Sequence, residues 1–187
     1  MQSLNFMNTW TWWKVGAEKH KQEVDLPHDA MLTEQRRVLL KEGAASGYFP
    51  GGSYVYEKRF CADPAWKDQT VMLEFEGVYQ KSEVFLNGYK VGGWIYGYTN
   101  FYVDLTDRLD FAGENVLRVE VNNSQTPNSR WYSGSGIYRP VHLLVGDRQH
   151  ILPNGLKVIT KSYEPAVIAV SVETTSLHDH AEICVQV

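Results

Sequence analysis

The chain has 187 residues, of which 43% are hydrophobic and 21% charged, and its formal net charge is −4. This length suits one domain or slightly more and is enough to bury a sizeable core. The negative charge argues against a nucleic-acid partner, and no apolar run approaches the ~20 residues of a membrane helix. The composition therefore predicts a soluble globular protein without a nucleic-acid or membrane partner.

The start of the chain and its cysteines bear on compartment and metal binding. Residues 1–6 show no basic region followed by an apolar core, so no signal peptide is visible and a cytoplasmic location is expected. Cys61 and Cys184 lie far apart in sequence and are expected to be buried thiols. Cys or His pairs at zinc spacing and a Gly-Lys-Ser/Thr phosphate loop are both missing, so the sequence predicts no metal and no cofactor.

The first part of the chain predicts two strands and a long loop. Residues 6–13 are rich in aromatic side chains that would share one face of an extended segment. Residues 23–26 form a short strand pattern that Pro27 ends. Residues 33–47 hold a candidate helical turn around 34–41, but their glycine-rich end lacks periodicity, which favours a loop.

Further segments alternate apolar and polar residues, as half-buried strands do: 54–61, 71–75, 82–86, 89–91, 101–105, 115–121 and 138–145. Asn87-Gly88 is a strong hairpin signal, because a type I′ turn needs positive φ at both residues. Short strands at this spacing, with no helix long enough to cover a sheet, predict an all-β antiparallel sandwich or barrel. The side chains expected in its core are Leu73, Phe75, Val84, Leu86, Leu117, Val119, Leu143 and Val145.

A boundary is expected near residues 146–153. Three more strand patterns follow it, at 156–160, 165–174 and 181–187, and the last reaches the end of the chain without a turn. We therefore predict a first domain over residues 1–147 and the beginning of a second over residues 148–187. The abrupt end suggests a piece of a longer protein.

Asn128–Arg139 connects two strand patterns and carries unusual chemistry for a connection. Trp131 and Tyr132 offer large rings, and the guanidinium groups of Arg130 and Arg139 can grip hydroxyls or carboxylates in a fork. Aromatic faces beside fork donors suit a sugar ring, which has apolar faces and hydroxyls around its edge. The alternative is structural: Trp131 and Tyr138 cap the end of a sandwich core, and the two arginines pair with nearby acids.

This segment also carries a family resemblance. Residues 130–139, Arg-Trp-Tyr-Ser-Gly-Ser-Gly-Ile-Tyr-Arg, resemble part of the N-terminal domain of family 2 glycoside hydrolases, which include β-galactosidases and β-glucuronidases. Three other stretches resemble that domain in the same order: Leu26-Pro-His-Asp29, residues 51–60, and residues 75–78 running on to 84–88. The resemblance covers about residues 5–147. It implies a galactose-binding-domain-like jelly roll, followed by the first strands of an immunoglobulin-like sandwich.

The resemblance also implies how the chain takes part in catalysis. In the family, a barrel further along the same chain supplies the catalytic glutamates, and a loop of the N-terminal domain helps to wall the sugar pocket. An Asp in that loop contacts the substrate in some relatives, and Arg130 aligns with it here. Asn128, Arg130, Trp131 and Tyr132 are therefore the expected substrate-binding residues. Ala30 replaces a Trp of close relatives, so a stacking role at that point is in doubt.

No catalytic residue is predicted within the chain itself. Glycoside hydrolysis normally needs two facing carboxyl groups, about 5–5.5 Å apart in retaining enzymes. Glu74 and Glu76 share one strand face that is expected to be solvated. Asp29 follows His28, but neighbours in an extended chain point oppositely, so Asp29 is expected to accept backbone N–H groups at a turn. The Gly-x-Ser-x-Gly elbow of a serine hydrolase is also absent.

Three functions follow as alternatives. The first is a non-catalytic domain of a family 2 enzyme acting on β-galactosides or β-glucuronides, with the carbohydrate substrate and the catalytic barrel of the full-length chain as its partners. The second is a freestanding carbohydrate-binding module, because jelly rolls also serve as lectins. The third is a structural spacer that supports contacts in a homo-oligomer. The end of the chain at Val187 favours the first, since a module would stop near Asp147.

Overall fold

The computed structural model describes residues 1–41 and 43–175, together with residues 184 and 186. These residues form twelve strands: β1 (Gln2–Asn5), β2 (Trp10–Lys14), β3 (Gln22–Val24), β4 (Ser53–Cys61), β5 (Thr70–Phe75), β6 (Ser82–Leu86), β7 (Tyr89–Trp94), β8 (Phe101–Asp104), β9 (Glu114–Asn122), β10 (Val141–Gly146), β11 (Ile151–Tyr163) and β12 (Ala166–Thr174). Short 3-10 helices span Glu18–His20, Ala30–Thr33, Gly43–Ser46, Pro64–Trp66 and Thr106–Arg108. Every strand pairing is antiparallel.

Two sheets enclose the core. One has four strands in the order β1-β10-β5-β8, and the other has six in the order β3-β2-β4-β9-β6-β7. Side chains from both sheets join a single buried cluster, so the two sheets form a sandwich. The side chains that the sequence places in the core are all buried, which confirms the predicted all-β antiparallel fold.

Alternation along β9 shows why these residues form a sheet. Leu117, Val119 and Val121 are buried, whereas Arg118 is exposed between them. β9 pairs with β4 along nine residues, so both strands keep their apolar faces toward the same side. Each fully buried side chain of this kind contributes about 1.5–3 kcal/mol to the stability of the fold.

The aromatic segment near the start is shorter as a strand than the sequence pattern suggests. β2 begins at Trp10 because Thr9 adopts a φ of 57°, and the Thr9 N–H is bound to the Asp25 carboxylate at 2.8 Å. Phe6 is nevertheless buried, with its ring edge-on to that of Trp10. Residues 34–41 form no helix, in agreement with the predicted loop.

The predicted hairpin turn is confirmed. Asn87 and Gly88 have φ angles of 51° and 83°, as a type I′ turn requires, and they join β6 to β7. β7 extends to Trp94, three residues beyond the predicted strand. The hairpin places the residues that follow β7 at the end of the sandwich that carries the 128–139 loop.

The thiol prediction is wrong, because Cys61 and Cys184 are both exposed. Cys61 lies at the end of β4 on the same face as Glu57 and Arg59, which points away from the core.

β11 and β12 pair as a separate two-stranded sheet that follows the sandwich. Apart from residues 184 and 186, the strand predicted at 181–187 lies outside the described residues, and the domain boundary at 147 stays a prediction. Within the described part of the chain, no helix has the length and apolar character needed to span a membrane.

Candidate functional site

The loop between β9 and β10 is fixed to the sandwich through its second half. The His28 N–H donates to the Ile137 carbonyl at 2.8 Å. Tyr79 and Gly136 exchange two backbone hydrogen bonds of 2.9 and 2.7 Å. Residues 134–137 therefore run between two neighbouring segments, and they are buried.

Gly136 is required by this close approach. Its φ is +103°, which L side chains rarely adopt, and an added Cβ would lie 2.1 Å from the Tyr56 hydroxyl oxygen. The missing side chain lets the loop lie directly on the core. The next residue, Ile137, is completely buried as a result.

Asp29 is the principal anchor of the loop. Its Oδ1 accepts the N–H of Met31 at 3.0 Å and the N–H of Ser135 at 2.9 Å. Its Oδ2 accepts the hydroxyl of Tyr132 at 2.6 Å. The predicted turn role of Asp29 is confirmed, and the structure adds a link from this turn to the loop that sequence spacing does not reveal.

Tyr132 is held by this carboxylate and by a second ring. Phe49 packs edge-on against it, with ring centroids 5.7 Å apart. Burial and the hydrogen bond to Asp29 raise the pKa of the Tyr132 hydroxyl above its ordinary value. Tyr132 thus keeps its proton at neutral pH and donates it to the carboxylate. The hydroxyl is therefore already engaged within the protein. A contact between Tyr132 and the substrate stays a prediction.

Asn128 is also engaged at both ends of its amide. Its Nδ2 donates to Oδ1 of the buried Asn123, and its Oδ1 accepts the hydroxyl of Tyr79 at 2.7 Å. Asn123 in turn donates to the Gly134 carbonyl at 3.0 Å. These contacts favour an anchoring role for Asn128, which closes the loop on itself.

Arg130 and Trp131 project from the anchored loop into solvent. The Arg130 side chain is exposed, and none of the ion pairs found in the described part of the chain includes it. The Trp131 side chain is 58% exposed, and its Nε1 donates to the Tyr98 hydroxyl at 2.9 Å. The contact of Arg130 with a substrate stays a prediction.

Sequence reasoning missed a second aromatic segment at the same end of the sandwich. Tyr96 and Tyr98 follow β7, and their rings meet edge-on at 5.6 Å. The Tyr138 hydroxyl donates to the Gly97 carbonyl at 2.6 Å and so joins this segment to the loop. Rings at every second position from Trp94 to Tyr98 were a visible signal, although nothing in the sequence shows that they face the loop.

An open cavity of about 370 Å³ lies between the two segments. Its lining consists of Tyr79, Gln80, Tyr96, Gly97, Tyr98, Asn128, Ser129, Arg130 and Trp131. This lining therefore combines aromatic rings, neutral polar groups and one cation, and it includes no carboxylate. Burial raises the pKa of Tyr79 at its edge to about 12, so this hydroxyl is neutral near pH 7.

The acidic residues considered from sequence lie elsewhere or are already bound. Glu74 accepts the hydroxyl of Tyr102 at 2.8 Å, and Glu76 lies 3.0 Å from the ring of His142. Both are partly exposed and belong to the four-stranded sheet or its end. Neither lines the cavity beside Arg130.

His28 has a structural environment. Its Nδ1 lies 2.8 Å from the Tyr56 hydroxyl oxygen, and its ring packs against Trp12 with centroids 4.7 Å apart. Burial lowers the pKa of His28, and the Asp29 carboxylate partly opposes this shift. The two neighbouring side chains take different partners, as expected for an extended pair.

The two packed antiparallel sheets, with polar and aromatic loops at one end, make this a β-sandwich domain. The family model described as the glycosyl hydrolase 2 galactose-binding domain-like domain matches residues 14–148. The chain belongs to this family.

Comparisons with individual proteins agree with this assignment. The chain is 40% identical over 156 residues to β-galactosidase BoGH2A of Bacteroides ovatus, covering 83% of this chain and 18% of that protein. It is 29% identical over 160 residues to a β-glucuronidase of Bacteroides fragilis, covering 81% and 22%. A solved β-glycosidase from Bacteroides vulgatus superposes with a TM-score of 0.85 at 32% identity, covering 96% of this chain and 25% of that one. The chain thus spans about a fifth of the curated relatives' length, and it matches their N-terminal region.

Proposed function

We propose that this chain is the non-catalytic N-terminal part of an enzyme that hydrolyses β-galactosides or β-glucuronides. Its 128–139 loop would wall the sugar pocket of a catalytic barrel on the same full-length chain. Two relatives, named as a β-galactosidase and a β-glucuronidase, support this substrate class. Residues 148–187 would begin a second, immunoglobulin-like domain between the sandwich and the barrel.

The exposed guanidinium of Arg130 on an anchored loop is the observation that carries this proposal. Its base is fixed through Asn128 and Tyr132, while the charged end reaches solvent beside Trp131. An arginine fork can donate to two hydroxyl or carboxylate oxygens at once. A sugar placed here would meet the donors of Arg130 along its edge and the Trp131 ring on its face.

The chemistry of the cavity supports binding without bond cleavage. Two carboxyl groups facing one glycosidic bond are the usual requirement for hydrolysis. The side chains that line this cavity include no Asp or Glu, and the nearby Asp29 already accepts three hydrogen bonds. The acid and the nucleophile would therefore come from the barrel.

The test is Arg130→Ala in the full-length enzyme. We expect kcat/KM to fall about 10-fold or more, because a hydrogen bond to a charged group contributes about 1.5–3 kcal/mol. Stability should change little, since the side chain is exposed. The matched control is Arg118→Ala, which removes an exposed arginine from the middle of β9 and should leave kcat/KM unchanged. Full activity in Arg130→Ala would support the structural interpretation of the loop.

A further inference from the structure

Tyr96, Tyr98 and Trp131 form a surface that we call the aromatic platform. Tyr96 is 55% exposed and Trp131 is 58% exposed, while Tyr98 lies half-buried between them. All three line the open cavity beside Arg130. The platform therefore places three aromatic side chains around one opening at the end of the sandwich.

The platform is exposed and yet fixed. The indole N–H of Trp131 is bound to the Tyr98 hydroxyl at 2.9 Å, and the Tyr98 ring packs on Tyr79 with centroids 5.2 Å apart. The backbone beneath is equally constrained, because a Cβ on Gly97 would lie 2.2 Å from the Tyr79 ring. The polar groups of Trp131 and Tyr98 thus bind each other, the Tyr96 ring packs edge-on against Tyr98, and Tyr96 and Trp131 stay largely exposed.

A fixed ring with an exposed face is well suited to binding. Such a ring offers a large contact area and loses little conformational entropy when a ligand arrives. The flat apolar C–H face of a pyranose can stack on such an aromatic face. Polar groups for its hydroxyls lie around the cavity at Gln80, Ser129 and Arg130.

We propose that the aromatic platform binds a second sugar unit of an oligosaccharide by stacking, next to the unit that Arg130 contacts. The cavity volume of about 370 Å³ lies within the range of ligand pockets, about 300–1,000 Å³. Only the position of the first sugar unit rests on the proposed function. The occupant is a neutral or acidic saccharide, because the lining carries one cation and no carboxylate.

The test compares short and long saccharides on the 187-residue chain by NMR titration up to 50 mM. One pair of probes is methyl β-galactoside and β-1,4-galactotetraose, and the other is methyl β-glucuronide and a hyaluronan tetrasaccharide. At least one of the two tetrasaccharides should bind about tenfold more tightly than the methyl glycoside paired with it, because its second sugar adds a stacking contact with an aromatic ring. Tyr96→Ala should remove this difference. The matched control is Tyr89→Ala. Tyr89 is 61% exposed and lies at the opposite end of β7, so this variant should keep the difference in affinity between long and short saccharides.

Equal affinities for the short and long probes, or no binding of either, would overturn the platform. An unchanged difference in Tyr96→Ala would do the same. In the full-length enzyme, a loss of activity in Arg130→Ala without any change in Tyr96→Ala for an oligosaccharide would leave the proposed function standing and remove only the platform. If Tyr96→Ala instead lowered the unfolding temperature of the full-length enzyme and left oligosaccharide kinetics unchanged, the platform would be a docking surface for another domain.

Discussion

At the scale of single residues, Asp29 links the turn after β3 to the 128–139 loop. One carboxylate serves two backbone N–H groups and the Tyr132 hydroxyl, so three donors depend on one side chain. The residue contributes to the site through the loop that it positions. Stability measurements can separate this role from an ordinary turn cap.

We expect Asp29→Ala to lower the free energy of unfolding by about 2–4 kcal/mol, because it leaves several donors without a partner. Asp63→Ala is the matched control, since Asp63 also caps a short 3-10 helix but its carboxylate accepts a single N–H among the described residues, that of Ala65. Its loss should cost about 1 kcal/mol. Urea unfolding followed by circular dichroism measures both values. Equal losses in the two variants would contradict the loop-anchoring role of Asp29.

The burial of His28 predicts a pH dependence of stability. Because burial lowers its folded pKa, the unfolded chain binds the proton more tightly than the folded protein. The free energy of unfolding should thus be highest above the unfolded pKa of about 6.5 and should fall as the pH decreases toward the folded pKa.

Urea midpoints between pH 7 and pH 5 test this expectation. His28→Gln should flatten the decline, whereas His20→Gln, at an exposed histidine, should leave it unchanged. The same decline in the unmodified protein and in both variants would show that groups other than His28 control the pH dependence of stability.

At the scale of elements, two glycines allow the backbone to take conformations that other residues avoid. Gly88 does so in the turn between β6 and β7, and Gly136 in the 128–139 loop. Gly88 has a φ of +83° with open space around it, whereas Gly136 has a φ of +103° and lies against Tyr56. The first position needs only a backbone conformation. The second needs that conformation and the absence of a side chain.

We expect Gly88→Ala to cost about 1 kcal/mol of stability, as the left-handed conformation alone requires. Gly88→Asn should cost less, since Asn tolerates that conformation. Gly136→Ala should cost more than about 2 kcal/mol, because strain and a steric clash add. Thermal and urea unfolding give the three values. A loss in Gly136→Ala no larger than in Gly88→Ala would mean that the loop shifts away from Tyr56 easily.

At the scale of the whole molecule, the sandwich carries an open cavity at one end. Its cavity has aromatic and polar walls on one side and is open on the other. The three relatives compared above are about four to six times as long as the matched segment, as their covered fractions of 18–25% indicate. Binding and bond cleavage are therefore expected to belong to different parts of the full-length chain.

The purified 187-residue chain should not hydrolyse fluorogenic β-galactosides or β-glucuronides, because its cavity lacks the facing carboxyl groups that hydrolysis needs. It should bind galactose and glucuronate only in the millimolar range or more weakly, since one wall of a pocket encloses little of a ligand. Turnover above that of a heat-inactivated sample would contradict the first expectation. Micromolar affinity for either monosaccharide would favour a freestanding carbohydrate-binding module.

The sequence by itself determined the class of fold and the members of its core. Alternation of period two decides which side chains face inward, and this information is local, so strands such as β9 and the turn at Asn87-Gly88 were predictable. The residues around Arg130 also identified the 128–139 segment as the candidate binding loop. Strand ends were less predictable, because the start of β2 depends on the contact of Thr9 with Asp25.

The tertiary structure alone decided how the site is assembled. Asp29 meets Tyr132 across 103 residues of sequence, and Trp131 meets Tyr98 across 33. Such pairings depend on how two sheets and their loops pack, and no local pattern encodes them. The same packing left the side chains of Tyr96 and Trp131 largely exposed. Local periodicity therefore sets which face a residue takes, whereas packing between distant segments sets which residues become a site.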